Sequence, residues 1–207
     1  FFNRFNSRFG SDYSYLENKN KTLLVNGFEE RSTGSHNLKI RWNITRKWLI
    51  STETISGKKV NRSEFFDNRD FKIDYRSSEQ RLSYQPGTTF RSSIVYLYSE
   101  KRNRTGELVQ AFGQKLGCEV KYNRAMQSSL SASFNFIQYK YNGGENSSLS
   151  YEMLEGLQEG NNYTWNVGFQ RTLSNNIQVN LSYDGRKSEK GNARIVHVGN
   201  VQVRAHF

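Results

Sequence analysis

The sequence predicts an all-β chain whose strands, about ten of them, run up and down antiparallel. Three observations carry that prediction. Apolar and polar residues alternate with a two-residue period over most of the 207 positions, which is the spacing of a strand with two unlike faces. Short and long links take turns between the alternating segments. No run of about 18 apolar residues exists, so a membrane-spanning helix is excluded by length, whereas a spanning strand needs only every second residue apolar.

In chain order, the first 15 residues repeat aromatics without a sustained period, and only Gly10 to Tyr15 reads as a strand. Glu17 to Lys21 reads as a turn, Thr22 to Phe28 as the next strand and Glu29 to Ser35 as a charged loop. Leu38, Ile40, Trp42 and Ile44 alternate with Lys39, Arg41, Asn43 and Thr45. Across Arg46 and Lys47 the row resumes at Trp48, Ile50, Thr52 and Thr54, a tight hairpin with a Trp on each side of its turn. Ser56 to Arg69 is expected to be a long charged link.

Phe71, Ile73 and Tyr75 alternate with Lys72, Asp74 and Arg76, and the strand runs on toward Leu82 and Tyr84. Pro86 and Gly87 turn the chain. Phe90, Ile94, Tyr96 and Tyr98 share one parity, and Glu100 to Glu107 is a charged link. Cys118, Val120 and Tyr122 oppose Glu119 and Lys121, and Asn123 to Gln127 is a turn. Leu130, Ala132, Phe134 and Phe136 follow, then Tyr139, Tyr141 and a turn at Asn142 to Gly144. Ser148 to Gly160 has no clear period and admits a short helical turn over Tyr151 to Leu157. Tyr163, Trp165, Val167 and Phe169 restore the strand. Ile177, Val179, Leu181 and Tyr183 form the penultimate apolar row and Val201, Val203, Ala205 and Phe207 the last, with a polar loop from Gly185 to Asn192 between them.

Composition narrows the function. Apolar residues are only 35% of the chain, yet 14% are aromatic, so something ordered uses those rings. The net charge of +11 invites a nucleic-acid partner. Basic residues are spread over every segment and no recognition signature accompanies them, so no nucleic acid is expected. Cys118 is the single cysteine, which rules out an internal disulfide. Asn-x-Ser/Thr triplets at Asn43, Asn61, Asn103, Asn146, Asn162 and Asn180 fit chance in an Asn- and Ser-rich chain.

Catalysis finds little support in these residues. His36, His197 and His206 are the only histidines, and none has a second His at zinc spacing. No glycine cluster opens a helix as a phosphate loop must. Neither a catalytic residue, a metal ligand nor a cofactor is expected.

The closing pair, with one apolar face, one polar face and a terminal Phe207, resembles the closing hairpin of Gram-negative outer-membrane β-barrels. The layout agrees with the likeness: short turns at Arg46, Pro86, Asn123 and Ser174 fall on one rim, and longer links at Gly57, Arg102, Gly143 and Lys187 on the other. Trp42, Trp48, Tyr84, Phe90, Tyr122 and Phe207 sit beside the short turns, while Tyr98, Tyr141, Tyr163 and Tyr183 sit toward the long links, as two aromatic girdles would. Tyr151 to Leu157, leading through Asn161 and Asn162 to Trp165, is similar to the late strands of large barrels in Bacteroidota.

The resemblance implies an antiparallel up-and-down transmembrane β-barrel in the outer membrane, or the C-terminal part of a larger one. Residues 1–21 are then a poorly patterned segment continuing from strands upstream, and 22–207 are barrel strands ending in a closing strand over 194–207. It also implies insertion by the barrel-assembly machinery, through a signal carried by Val201, Val203, Ala205 and Phe207, and work as a pore, transporter, translocon or scaffold, alone or among other subunits. Lys58, Lys59, Arg62, Lys101, Arg102, Arg104, Arg186, Lys187 and Lys190 lie toward the outer rim, where they are expected to meet lipopolysaccharide phosphates. Two alternatives stay open, an outer-membrane barrel enzyme and a soluble basic β-sandwich binding protein.

Overall fold

The computed structural model describes residues 8–25, 27–66, 69–106, 108–125, 127–144, 147–174, 177–190 and 195–205. In order, the elements are β1 (Phe9–Leu24), β2 (Gly27–Asn43), β3 (Trp48–Ser63), β4 (Phe71–Tyr84), β5 (Phe90–Asn103), β6 (Gln110–Arg124), β7 (Ser128–Tyr141), α1 (Ser148–Met153), β8 (Gly160–Ser174), β9 (Ile177–Ser188) and β10 (Val196–Ala205). All ten strands belong to one antiparallel sheet in chain order, β1 to β10. The protein is therefore all-β and up-and-down, and two stacked sheets, as in a sandwich, are not what these strands form.

Register follows from the alternation. Phe9, Trp42, Ile50, Leu82, Ile94, Cys118, Phe134, Trp165, Gly185 and His197 are successive cross-strand partners, so one row of mostly apolar positions runs through every strand. Partners share a face, and a slip of one residue would move a whole row to the other side. Among the described residues β1 pairs with β2 alone and β10 with β9 alone.

The sheet curls into a barrel wall. Arg31 on β2 donates to Glu152, carried by the segment 147–159 between β7 and β8, at 3.3 Å. Five strand spacings separate β2 from β7, about 24 Å in a flat sheet. Only a strongly curved wall lets a link from one side reach the other.

Several strands run further than their apolar patterns. Glu17 to Lys21, expected as a turn, is part of β1, and Glu29 to Ser35, expected as a loop, is part of β2. Ser56 to Ser63 extends β3, Glu100 to Asn103 extends β5, and Gly185 to Ser188 extends β9. In these extensions both faces are polar, so pairing continues where alternation has stopped. The tight link from Leu24 reaches Gly27, whose φ of +93° suits glycine.

The interior core is small and lies at the long-link end. Phe71, Ile73, Val109, Ala111, Tyr139 and Tyr141 line the wall there, and Met153 and Leu154 of the inserted link pack onto them. Phe71, Ile73 and Tyr75 therefore face inward, on the parity opposite to Leu82 and Tyr84 of the same strand. Tyr141, expected in an outward girdle, is also turned in, at 8% exposure.

Candidate functional site

The two faces of the wall define two environments. Outward rows carry Leu38 and Trp42, Ile94 and Tyr96, Leu116 and Val120, Phe134, Val167, Leu181, Val201 and Val203, all exposed. A soluble monomer rarely shows an apolar patch of more than a few hundred Å², and this one passes round ten strands. Trp48 and Tyr84 pack against each other at a tilt beside one short turn, with ring centroids 4.7 Å apart. Tyr98, Tyr163 and Tyr183 stand outward at the other edge of the band. On β5 the outward run from Phe90 to Tyr98 matches the roughly 9 to 11 residues a tilted strand needs to cross hydrocarbon. No helix among the described residues is long and apolar enough to cross a membrane.

The inward face is polar and charged. Toward the short turns it carries a recess of about 330 Å³ lined by Lys39, Arg41, Leu49, Ser51, Glu53, Glu79, Arg81, Arg91, Ser93, Glu119 and Lys121. Arg81 Nη1 donates to Glu119 at 2.6 Å and Nη2 to Glu79 at 3.0 Å, while Lys39 lies 3.5 Å from Glu53.

At the other end the segment 147–159 of the link between β7 and β8 folds into the interior. Ser147 caps α1, its hydroxyl accepting from the Ser150 amide at 2.9 Å, and Ser150 returns a bond to the Ser147 amide. The helix ends where Glu155 and Gly156 take φ of +57° and +75°. That turn aims carboxylates at the wall. Glu152 pairs with Arg31 on β2 and Lys59 on β3, and Glu155 accepts from Lys101 on β5 at 2.8 Å. Burial works against ionisation of Glu155, but the Lys101 ammonium and the Tyr139 hydroxyl outweigh it and hold the carboxyl below its ordinary value. Glu159 is held low by its hydrogen bond from Lys190, at 2.6 Å.

A second charged surface lies outside, just beyond the apolar band on β1 to β5. Its groove of about 570 Å³ is lined on the outward face by Tyr15, Gly34, His36, Ser56, Lys58, Asp74, Arg76, Glu100, Arg102 and Arg104. Arg102 donates to Glu100 at 2.5 Å and Arg104 pairs with Asp74. Lys58 and Arg76 make no ion pair among the described residues.

The residues expected to meet lipopolysaccharide thus divide. Lys58, Arg102 and Arg104 gather in the outer groove. Lys59 and Lys101 instead turn inward onto Glu152 and Glu155, and Arg186 shares the inward parity of Thr164, its partner on β8. Arg62 and Lys187 face outward but apart from the groove, and Lys190 is taken by Glu159. Of the expected assembly signal, Val201, Val203 and Ala205 form the outward row of β10, and Phe207 lies outside the described residues. Arg76, His36 and Tyr15 join the groove through register alone, which no local motif announces. Among the described residues no group of three or more His, Cys, Asp or Glu could hold a metal ion.

No protein-family model matches the chain, and no curated protein matches it. Among solved structures it is similar to one described as a NanC porin in a rhombohedral crystal form, with a TM-score of 0.46 and 10% identity over 96% of this chain and 98% of that one.

Proposed function

We propose that this chain forms a pore-type β-barrel in the outer membrane of a Gram-negative bacterium. One observation carries the reading: a ten-strand wall that is apolar outside and polar inside, with aromatic rings at both edges of the apolar band. Hydrocarbon offers charge no solvation, so an apolar exterior with a charged interior is stable only around a watery path. In hydrocarbon the edges of β1 and β10 also require partners, so the inserted form pairs them with each other or with further strands. Val201, Val203, Ala205 and Phe207 are the segment offered to the assembly machinery. No catalysis is assigned: His36 and His197 each hydrogen-bond a Tyr hydroxyl at 2.7 Å, with Tyr13 and Tyr183, on the outward face.

The outer groove supports a second element of the reading, a contact with lipopolysaccharide phosphates through Lys58, Arg76, Arg102 and Arg104. Membrane fractionation combined with heat-modifiable migration tests the location, and planar-bilayer conductance tests the pore. Recovery in the soluble fraction, or a folded membrane form with no conductance, would sink the respective half.

A further inference from the structure

We propose that the short-turn end of the interior is a docking site for small solutes bearing a carboxylate or a phosphate. The proposal rests on the reading of the interior as a solute path and adds the class of solute which that path selects. The recess there opens between β2 and β6. Its carboxylates are already engaged. Glu53 accepts from Asn37 at 2.7 Å and faces Lys39, and both Glu79 and Glu119 bind Arg81.

Arg91 and Lys121 make no ion pair among the described residues and are direct cross-strand partners on β5 and β6. Glu119, two positions from Lys121 on the same face, attracts Lys121 but is bound to Arg81. Two like charges set opposite each other destabilise a sheet unless something negative lies between them. Arg91 donates to the Ser83 hydroxyl at 3.4 Å. Arg41 lines the same recess from β2. Ser93, which lines the recess, and Ser83 beside it are buried with their hydroxyls 2.9 Å apart.

A carboxylate or phosphate oxygen placed between Arg91 and Lys121 replaces their repulsion with charge-assisted bonds, and the planar guanidinium suits the two-oxygen edge of either group. A cation would be repelled and a neutral sugar would leave the like charges facing. Of the other inward cations, Arg31, Lys59 and Lys101 are held by Glu152 and Glu155, and Lys115 and Arg186 face no second cation across a strand.

The test uses the full chain folded in detergent, with heat-modifiable migration as the check of folding. Inorganic phosphate, succinate and choline are the probes, measured by equilibrium dialysis for wild type, Arg91→Gln, Lys121→Gln, the double variant and an outer-face control, Lys140→Gln. Saturable binding of phosphate, succinate or both is expected, weakened at least tenfold in the double variant and unchanged in the control; phosphate alone or succinate alone would narrow the class. Choline should not bind. Failure of both anions to saturate wild type, or equal binding by the double variant, overturns the site. In bilayers, wild type should prefer anions in its reversal potential and the double variant should not. Retained anion binding without any conductance would refute the solute path while leaving the site in place.

Discussion

Arg81 on β4 reaches past β5 to Glu119 on β6, Nη1 donating to Oε2 at 2.6 Å and Nη2 to Oε1 at 3.3 Å. Val95, the β5 partner of Arg81, and Gly117, its neighbour on β6, keep the crossing low and clear. Both side chains are part-exposed, which screens the pair, so a double-mutant cycle of Arg81→Gln and Glu119→Gln should give a coupling of about 1 to 2 kcal/mol. Urea unfolding in lipid vesicles measures it. A coupling indistinguishable from zero would make the crossing incidental to stability.

The closing strand separates the two faces by parity. Val203 faces outward and Gln202 inward. Val203→Arg should cost on the order of 2 to 4 kcal/mol if its level lies near the middle of the bilayer, and Gln202→Arg should be tolerated. Yields of heat-modifiable, membrane-inserted protein report the difference. Equal yields would overturn the assignment of faces.

Gly113 holds the inserted link indirectly. A Cβ there would stand 2.5 Å from the Tyr139 ring and 2.5 Å from the Ser99 hydroxyl, so Tyr139 can lie over this glycine only while it lacks a side chain. Gly113→Val is expected to lose about 1 to 3 kcal/mol and to expose the 147–159 segment to limited proteolysis. Gly87→Ala, with open space around it, is the matched control. Unchanged cleavage in Gly113→Val would show that Tyr139 does not secure the segment.

Acid should loosen the same segment. Glu155 has a native pKa below its ordinary value, so its contribution is full above the unfolded value, about 4.3, and is lost as pH falls through the depressed native one. Its side chain is 59% exposed, so the pair is screened and release is expected to be partial. Proteolysis of the 147–159 segment should rise between neutral pH and pH 3 in wild type, and less steeply in Glu155→Gln, which has already lost the charge. Parallel profiles would assign the acid response elsewhere.

Topology can be read with the native thiol as an internal standard. Cys118 is exposed on the outward apolar face, where a membrane would cover it. A lipid-soluble maleimide should label it in intact cells and an impermeant one should not. With Cys118 replaced by Ser, a cysteine at Gly144 on the long-link rim should react with the impermeant reagent and one at Gly87 should not. Reversal of that pair would invert the orientation.

The sequence was legible wherever a strand has one apolar face, and illegible above and behind that band. Trp42, Trp48 and Phe90 marked a rim correctly because rings at the edge of an apolar row have few other uses. Glu29 to Ser35 and Ser56 to Ser63 hid their strands because both of their faces are polar, so no alternation remains to read. Asn26-Gly27 was the signal available there, a dipeptide that favours two-residue hairpins. At β4 the apolar parity changes between Tyr75 and Leu82; the sequence displays the change, but only the inserted link explains it, by giving Phe71 and Ile73 something to bury against. Lys59 and Lys101 read as outer-rim cations since their partners, Glu152 and Glu155, lie 93 and 54 positions away.

Those separations bear on the order in which the molecule assembles. Every pairing in the sheet joins neighbours along the chain, so hairpins can form one after another with small loops to close. Glu152 meets Arg31 across 121 positions, and α1, at six residues, is too short to persist alone. The 147–159 segment can dock only after β2, β3 and β5 already stand in a curved wall. A strand slipped by one residue would turn Lys59 or Lys101 outward and leave a carboxylate facing nothing. The link thereby acts as a checksum on strand register, accepted late and only by a wall whose rows are in step.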